Sequence, residues 1–157
     1  MAPQYDLLGE YEVTLDAKGR FRIPSGLLKN LGDRDTLKFV VNRGLGNCLA
    51  LYPKPVWDEI KQEVDALNKN NQQNLRYVRA FYRGATEVVP DSADRLLLPK
   101  RLVSWAKMEK NLVMTAMNDR IEIWAEAEYD LYLEQEPDDL AALAEEVLGD
   151  SPRENDL

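Results

Sequence analysis

Apolar and polar residues alternate with a period of two at residues 20–23, the pattern of a strand with one buried face. Phe21 and Ile23 are therefore predicted to face the core, and Arg20 and Arg22 to face outward. A weaker alternation predicts a preceding strand. Two further strands are predicted to pair across a glycine-containing turn, and these three strands lie at residues 10–15, 37–41 and 49–52.

Apolar residues at helical spacing predict the first two helices. Residues 25–31 form a short helical pattern that Gly32 ends. A longer amphipathic pattern at residues 56–67 follows Pro53 and Pro55, which suit the first turn of a helix. Its apolar side is expected to pack on the core.

A third helix is predicted after the polar segment 68–74, starting near Leu75. Its basic residues Arg76, Arg79 and Arg83 are spaced three and four apart, so they share one face. This face is either solvated or directed at phosphates, and the spacing alone does not decide between the two.

The end of the chain is predicted to be helical and is strongly acidic. One helix is expected near residues 126–135, and a last one is expected to be capped by Asp138 or Asp139 and to end at Gly149. Residues 134–157 carry nine acidic residues and one basic residue, which equals the net charge of −8 of the whole chain. The remainder is neutral, and the acidic segment either stays solvated or competes with DNA for a basic face.

The chain repeats itself, which is the feature that most constrains its fold. At an offset of 75, residues 9–24 match residues 84–99 with these identities: Gly9 and Gly84, Glu12 and Glu87, Val13 and Val88, Asp16 and Asp91, Arg20 and Arg95, Pro24 and Pro99. Leu37 falls on Leu112 at the same offset, and from residue 49 the match continues at an offset of 72. We therefore predict a duplicated unit whose first copy has a hairpin turn three residues longer, at residues 42–48.

Composition limits the function classes. A unit of about 75 residues is near the lower size for a self-sufficient core, so the two copies are expected to pack together.

The single cysteine, Cys48, excludes an intramolecular disulfide, suits a reducing cytoplasm and is expected to be buried. No metal or other cofactor is expected, because no histidine is present and no ligand cluster has metal-binding spacing. The sequence has neither a secretory signal nor an apolar run long enough to span a membrane. The tryptophans are expected in the core, at Trp57, Trp105 and Trp124.

The turn at residues 16–20 is the strongest candidate site. Asp16 suits a tight turn because its carboxylate accepts backbone N–H bonds, and Gly19 supplies a positive φ. If Asp16 also pairs with Arg20, the turn is braced and presents Lys18 and Arg20 to phosphates and base edges. The alternative is an ion pair that only stabilises the turn.

The second turn keeps this frame but loses its charge. Residues 16–22 contain three basic residues and one acidic residue, whereas residues 91–97 contain one basic residue and two acidic ones. The first copy is therefore expected to make most nucleic-acid contacts, with Lys100 and Arg101 compensating in part.

Catalysis by the two matching aspartates is the competing hypothesis. Asp16 and Asp91 could form a carboxylate dyad like that of a duplicated acid protease. Neither lies in the Asp-Thr/Ser-Gly sequence of such sites, and each has an arginine four residues on that keeps it ionised. The sequence therefore argues against an enzyme.

Several features together resemble the MraZ family of bacterial proteins: the duplication, the motifs at residues 16–24 and 91–95, and the strand at residues 48–53 that leads to Trp57. The resemblance implies an α+β, β-rich fold of tandem duplicated AbrB-like modules, of the β-barrel or swapped-hairpin type, with flanking helices. We divide the chain into a first module at residues 7–67, an inter-module helix or linker at 68–81, a second module at 82–135 and an acidic C-terminal segment at 136–157.

The resemblance also implies a function. It implies a cytoplasmic, nucleoid-associated transcriptional regulator of the division and cell-wall gene cluster, which binds short direct repeats in double-stranded promoter DNA as a ring-shaped homo-oligomer. Asp94 replaces the glycine of the family pattern, so the second loop is expected to contribute less. A non-catalytic protein-interaction scaffold is the alternative. DNA contact is expected at Lys18, Arg20, Arg22, Arg95, Lys100 and Arg101, with loop support from Asp16, Gly19 and Asp91.

Overall fold

A computed structural model of the chain describes residues 5–136 and 139–149. The strands of this part are β1 (Leu7–Thr14), β2 (Arg20–Arg22), β3 (Phe39–Arg43), β4 (Leu49–Pro53), β5 (Thr86–Val88), β6 (Arg95–Leu97), β7 (Asn111–Asn118) and β8 (Arg120–Ala125). The helices are α1 (Ser25–Leu28), α2 (Lys54–Asp65), α3 (Gln72–Tyr82), α4 (Lys100–Trp105), α5 (Glu126–Gln135) and α6 (Leu140–Leu148). No helix in these two ranges is long and apolar enough to cross a membrane.

The strands from the two copies interleave in one antiparallel sheet. Its order is β1-β7-β8-β4-β3-β5, and β2 pairs with β6 in a separate two-stranded ribbon. Strand β1 of the first copy thus pairs with β7 of the second, and β5 of the second copy pairs with β3 of the first. The predicted α+β, β-rich fold class is confirmed. In the described part of the chain, three of the five strand pairings of this sheet join one copy to the other: β1 with β7, β4 with β8 and β3 with β5.

The predicted duplication is also confirmed. Each of β1, β2, α1, β3, β4 and α2 has a counterpart in the same order among β5, β6, α4, β7, β8 and α5. The pairing follows an approximate two-fold axis, because Phe21 lies opposite its own equivalent, Leu96, and Ala50 lies opposite Glu122. The two copies are therefore related as the two subunits of a symmetric dimer would be.

The predicted position of the three extra residues is wrong. Val13 lies opposite Leu112, and its equivalent Val88 lies opposite Phe39, so Phe39 rather than Leu37 corresponds to Leu112. The offset at this strand is therefore 73 (112 less 39), and it is 72 at the next strand. The first copy therefore has two extra residues before β3 and one in the hairpin. The match of Leu37 with Leu112 misled the prediction, because strand pairing fixes the register and a single matching leucine does not.

The buried residues form one main core beneath the ribbon, and the inward prediction for Phe21 and Ile23 is confirmed at 1% and 2% exposure. Trp57 and Trp124 are also buried as predicted. The prediction for Trp105 is wrong, since this ring is 39% exposed. Trp105 is the last residue of α4, and the Arg43 guanidinium lies 5.9 Å from its ring centre.

Cys48 is buried as predicted, and burial raises the pKa of its thiol to about 12. A thiol with so high a pKa stays protonated at neutral pH, which makes it a poor nucleophile.

Side chains from β3 fix helix α3 to the sheet. Asn42 Nδ2 donates to the carbonyl of Phe81 at 2.6 Å, and Arg43 donates to the carbonyl of Ala80 at 2.7 Å. The helix begins within the predicted polar linker, because Asn71 caps it by accepting the Asn74 N–H at 3.1 Å. The basic residues predicted to share one face are exposed, Arg76 and Arg79 on the helix and Arg83 at its C-cap.

The last helix, α6, begins and ends as predicted. Asp139 accepts the Ala142 N–H at 3.0 Å and so caps it, and Gly149 ends it. The other candidate cap, Asp138, lies outside the described residues.

Candidate nucleic-acid interface

The first Asp-x-x-x-Arg loop is braced by a single carboxylate. Asp16 Oδ1 accepts the backbone N–H groups of Lys18 and Arg20, each at 2.9 Å. Its Oδ2 accepts Arg20 Nε, also at 2.9 Å. Gly19 closes the turn by donating to the carbonyl of Asp16 at 3.0 Å, with a φ of +87°. The predicted pairing of Asp16 with Arg20 is thus confirmed, and Lys18 is exposed at the tip.

The second loop repeats this geometry atom for atom. Asp91 Oδ1 accepts the backbone N–H groups of Ala93 and Arg95 at 2.9 Å, and Oδ2 accepts Arg95 Nε at 2.9 Å. Asp94 occupies the position of Gly19 with a φ of 62°, the left-handed region that aspartate tolerates better than most residues. The backbone frame therefore does not require glycine at this position.

Backbone hydrogen bonds lower the pKa of both aspartates. The largest cause is the N–H of Arg20 for Asp16 and the N–H of Arg95 for Asp91. A pKa below the ordinary value of 3.8 means that the folded protein binds these protons less readily than the unfolded chain does.

The stabilisation by these loops should therefore disappear in acid. A lowered folded-state pKa contributes stability above the unfolded-state pKa, and this contribution is lost as the pH falls through the folded-state value. We expect the difference in urea midpoint between the natural protein and an Asp16→Asn, Asp91→Asn double variant to shrink below about pH 4. Asp6→Asn, which removes a carboxylate far from the loops, serves as the control. A difference that stays constant down to about pH 2 would contradict this assignment.

The ribbon of β2 and β6 holds both loops in one unit. Phe21 lies opposite Leu96 on its buried face, and both side chains are at most 1% exposed. The other cross-strand pairs point outward, Arg20 opposite Leu97 and Arg22 opposite Arg95. The outer face of the ribbon thus carries three arginines and one leucine.

Each loop also accepts a backbone hydrogen bond from the other copy. The Ile23 N–H donates to the carbonyl of Asp94 at 2.8 Å, and the Leu98 N–H donates to the carbonyl of Gly19 at 2.9 Å. Each loop tip is therefore anchored by backbone from the other copy.

A cleft lies on each side of the ribbon. The first, of about 550 Å³, brings together Lys18 and Lys100 beside Leu97. The second, of about 780 Å³, contains Arg22 together with Asp94 and two glutamates, Glu10 and Glu12. Of the predicted contact residues, the structure brings Lys18 and Lys100 to one cleft and Arg22 to the other. It leaves Arg101 exposed on α4, where it lines neither cleft.

Arg34 is a residue that the sequence analysis missed. Its guanidinium forms an ion pair with Asp94, whose side chain is 23% exposed. Arg34 therefore offsets the extra negative charge of the second loop. It lies in the irregular segment between α1 and β3, where no periodicity marks it.

Gly19→Ala tests whether the first turn depends on its positive φ. The new methyl would meet nothing nearer than the carbonyl of Leu98 at 3.6 Å, so the cost arises from the backbone conformation. We expect the free energy of unfolding to fall by about 1–2 kcal/mol in a urea titration. Ser92→Ala in the matching loop should change it little, and an unchanged Gly19→Ala protein would mean that the turn can relax.

Together these features define a class of protein: a duplicated α+β chain that presents two aspartate-braced, arginine-bearing loops on one ribbon. The family model described as "MraZ protein, putative antitoxin-like" matches residues 7–79 and 81–150. The chain belongs to the MraZ family.

Several relatives share almost the full length of the chain. The "Transcriptional regulator MraZ" of Christiangramia forsetii is 40% identical, with 92% of this chain and 94% of the relative covered. The protein of the same name from Cytophaga hutchinsonii is 38% identical over 93% of this chain and 97% of its own. That from Desulforamulus reducens is 37% identical over 90% and 96%. The resemblance inferred from the motifs is thus confirmed.

Proposed function

We propose that the protein is a sequence-specific, DNA-binding transcriptional regulator. The observation that carries this proposal is the outer face of the ribbon, where three arginines stand on a two-stranded support. A ribbon of this kind fits the major groove of B-DNA, and arginine binds guanine there through two hydrogen bonds. The names of the relatives, which call them transcriptional regulators, support the same function.

The first loop makes most of the contacts in this proposal. Lys18 and Arg20 face phosphates and base edges, and Lys100 adds a second charge beside Lys18. Arg22 and Arg95 add contacts from the outer face of the ribbon, and Arg101 contributes at the flank. Asp16, Gly19 and Asp91 hold the loops in shape and do not touch DNA.

The target we propose is a set of short direct repeats in the promoter of the division and cell-wall gene cluster. A ring-shaped homo-oligomer binds these repeats in the cytoplasm, on the nucleoid. One ribbon offers only a few charged contacts, so a single subunit binds weakly. Repeated subunits on repeated sites convert weak contacts into tight binding through a high effective concentration.

A non-catalytic protein-interaction scaffold is the second candidate. It is supported by exposed apolar side chains on α6, where Leu140 is 77% exposed and Leu148 is 58% exposed. Such side chains suit a protein partner better than a nucleic acid.

Fluorescence anisotropy with the duplex upstream of the chain's own gene separates the two candidates. We expect selective binding that weakens by about tenfold or more between about 50 and 200 mM salt, because bound phosphates release counterions. Competition with unrelated duplex measures the selectivity. Absence of selective binding by the folded protein would favour the scaffold, whose apolar contacts depend little on salt.

A further inference from the structure

We propose that Leu97 and Arg22 are specificity-determining residues that give the ribbon a direction on DNA. The Arg22 end reads guanine, and the Leu97 end reads the methyl group of thymine. This inference rests on the proposed function and deepens it by assigning base preferences to the two ends of one ribbon.

The ribbon is nearly symmetric. Its approximate two-fold axis passes through the pair of Phe21 and Leu96 and exchanges Arg20 with Arg95. Both of these arginines are held by the same bond, Nε to an aspartate Oδ2 at 2.9 Å, and their side chains are 26% and 35% exposed. A ribbon with only these two contacts would present the same groups at both ends and would read a palindrome.

The symmetry is broken at one pair of equivalent positions. Arg22 on β2 corresponds to Leu97 on β6, and both stand on the outer face. Leu97 is 55% exposed, so more than half of an apolar side chain faces water on a strand whose partner carries arginines. Arginine donates two hydrogen bonds to guanine O6 and N7, whereas leucine has no donor and instead makes apolar contact with the thymine methyl.

The two clefts beside Leu97 and Arg22 also differ, in the charges that line them. Lys18 and Lys100 line the cleft beside Leu97, and Glu87 is the one carboxylate among the described residues that line it. The matching cleft contains Arg22 and three carboxylates, those of Glu10, Glu12 and Asp94. Of these, Asp94 is paired with Arg34. Phosphates are therefore attracted to the Leu97 end more strongly than to the Arg22 end. Phosphate contacts of these two lysines hold Leu97 at thymine, and the subunit has one preferred orientation.

The test is a selection from a random duplex library with four forms of the full-length protein: natural, Leu97→Arg, Arg22→Leu and Leu45→Arg. Leu45 is 96% exposed in the hairpin before β4, so its replacement adds the same charge away from the ribbon. The natural protein should select a sequence with guanine at one end and thymine at the other. Leu97→Arg should exchange thymine for guanine and make the selected sequence self-complementary, with about tenfold tighter binding to that duplex than the natural protein shows. Arg22→Leu should lose the guanine preference, and Leu45→Arg should select the natural sequence.

The outcomes separate this inference from the proposed function. If the natural protein selects no sequence, the proposed function itself fails. If it selects a sequence that Leu97→Arg and Arg22→Leu both leave unchanged, the two residues do not determine specificity and the inference is overturned. A self-complementary sequence selected by the natural protein overturns it as well. If Leu97→Arg does not fold, as judged by circular dichroism, Arg22→Leu decides alone.

Discussion

Arg20→Ala is expected to weaken binding to the upstream duplex by at least about tenfold, whereas Arg95→Ala should weaken it severalfold less. Each arginine donates Nε to Oδ2 of its aspartate at 2.9 Å, so the two variants lose the same bond within their loops. The difference arises from their surroundings. The loop of Arg20 also carries the positive charge of the exposed Lys18. The loop of Arg95 instead carries the negative charge of Asp94, which Arg34 neutralises without adding a net positive charge. Removing the arginine from the more positive loop therefore removes more of the favourable contact with phosphates and bases.

The measurement is anisotropy at one fixed salt concentration, with Lys69→Ala as a control. Lys69 is an exposed lysine between α2 and α3, and its removal lowers the net charge by the same amount. Equal losses for Arg20→Ala and Arg95→Ala would show that the two loops contribute alike. Equal losses for all three variants would mean that net charge alone governs the affinity.

Phe21→Ala is expected to reduce the free energy of unfolding by about 3–5 kcal/mol, the usual cost of truncating a buried phenylalanine. Phe21 is 1% exposed and lies on the two-fold axis of the ribbon, against Leu96 of the other copy. The cavity would open beneath both loops at once, since this pair is the only inward-facing pair of the ribbon in the described residues.

Urea unfolding followed by circular dichroism measures this change. Leu97→Ala is the matched control, because it truncates an apolar residue of the same ribbon that is 55% exposed, and it should cost less than about 1 kcal/mol. A loss below about 1 kcal/mol for Phe21→Ala would mean that the ribbon collapses onto the core and fills the space.

The parts of the site that sequence analysis predicted correctly are local. The alternation from Arg20 to Ile23 places arginines outside and apolar residues inside, and a strand enforces that alternation wherever it is located. The bond between Asp16 and Arg20 spans four residues and is formed within one turn. The prediction that α6 ends at Gly149 was likewise correct, because capping is decided by adjacent residues.

The parts that were missed depend on long-range packing. Helix α1 ends at Leu28, earlier than the pattern predicted, because the N–H groups of Asn30 and Leu31 bond to carbonyls three residues back, as in turns, and do not continue the helix. Trp105 lies at the end of α4, where packing between elements and not apolar character decides its exposure. The ion pair of Arg34 with Asp94 joins segments that no periodicity relates. Pairing partners such as β1 and β7 are set by the packing of the two copies together, and neither strand carries that information alone.

The interleaved strands have a consequence for how the chain is made. Leu7 in β1 pairs with Asn118 in β7, so among the described strands β1 has no sheet partner until β7 has been synthesised. During translation, the N-terminal copy leaves the ribosome with an unpaired strand and an open apolar face, and it cannot complete its fold one copy at a time. Contacts this far apart in the chain also slow folding, since a long loop must close before they form. The unpaired β1 leaves backbone N–H and C=O groups open during synthesis, which is the kind of strand edge through which two nascent chains can pair wrongly, by the same exchange that joins β1 to β7 in the folded protein.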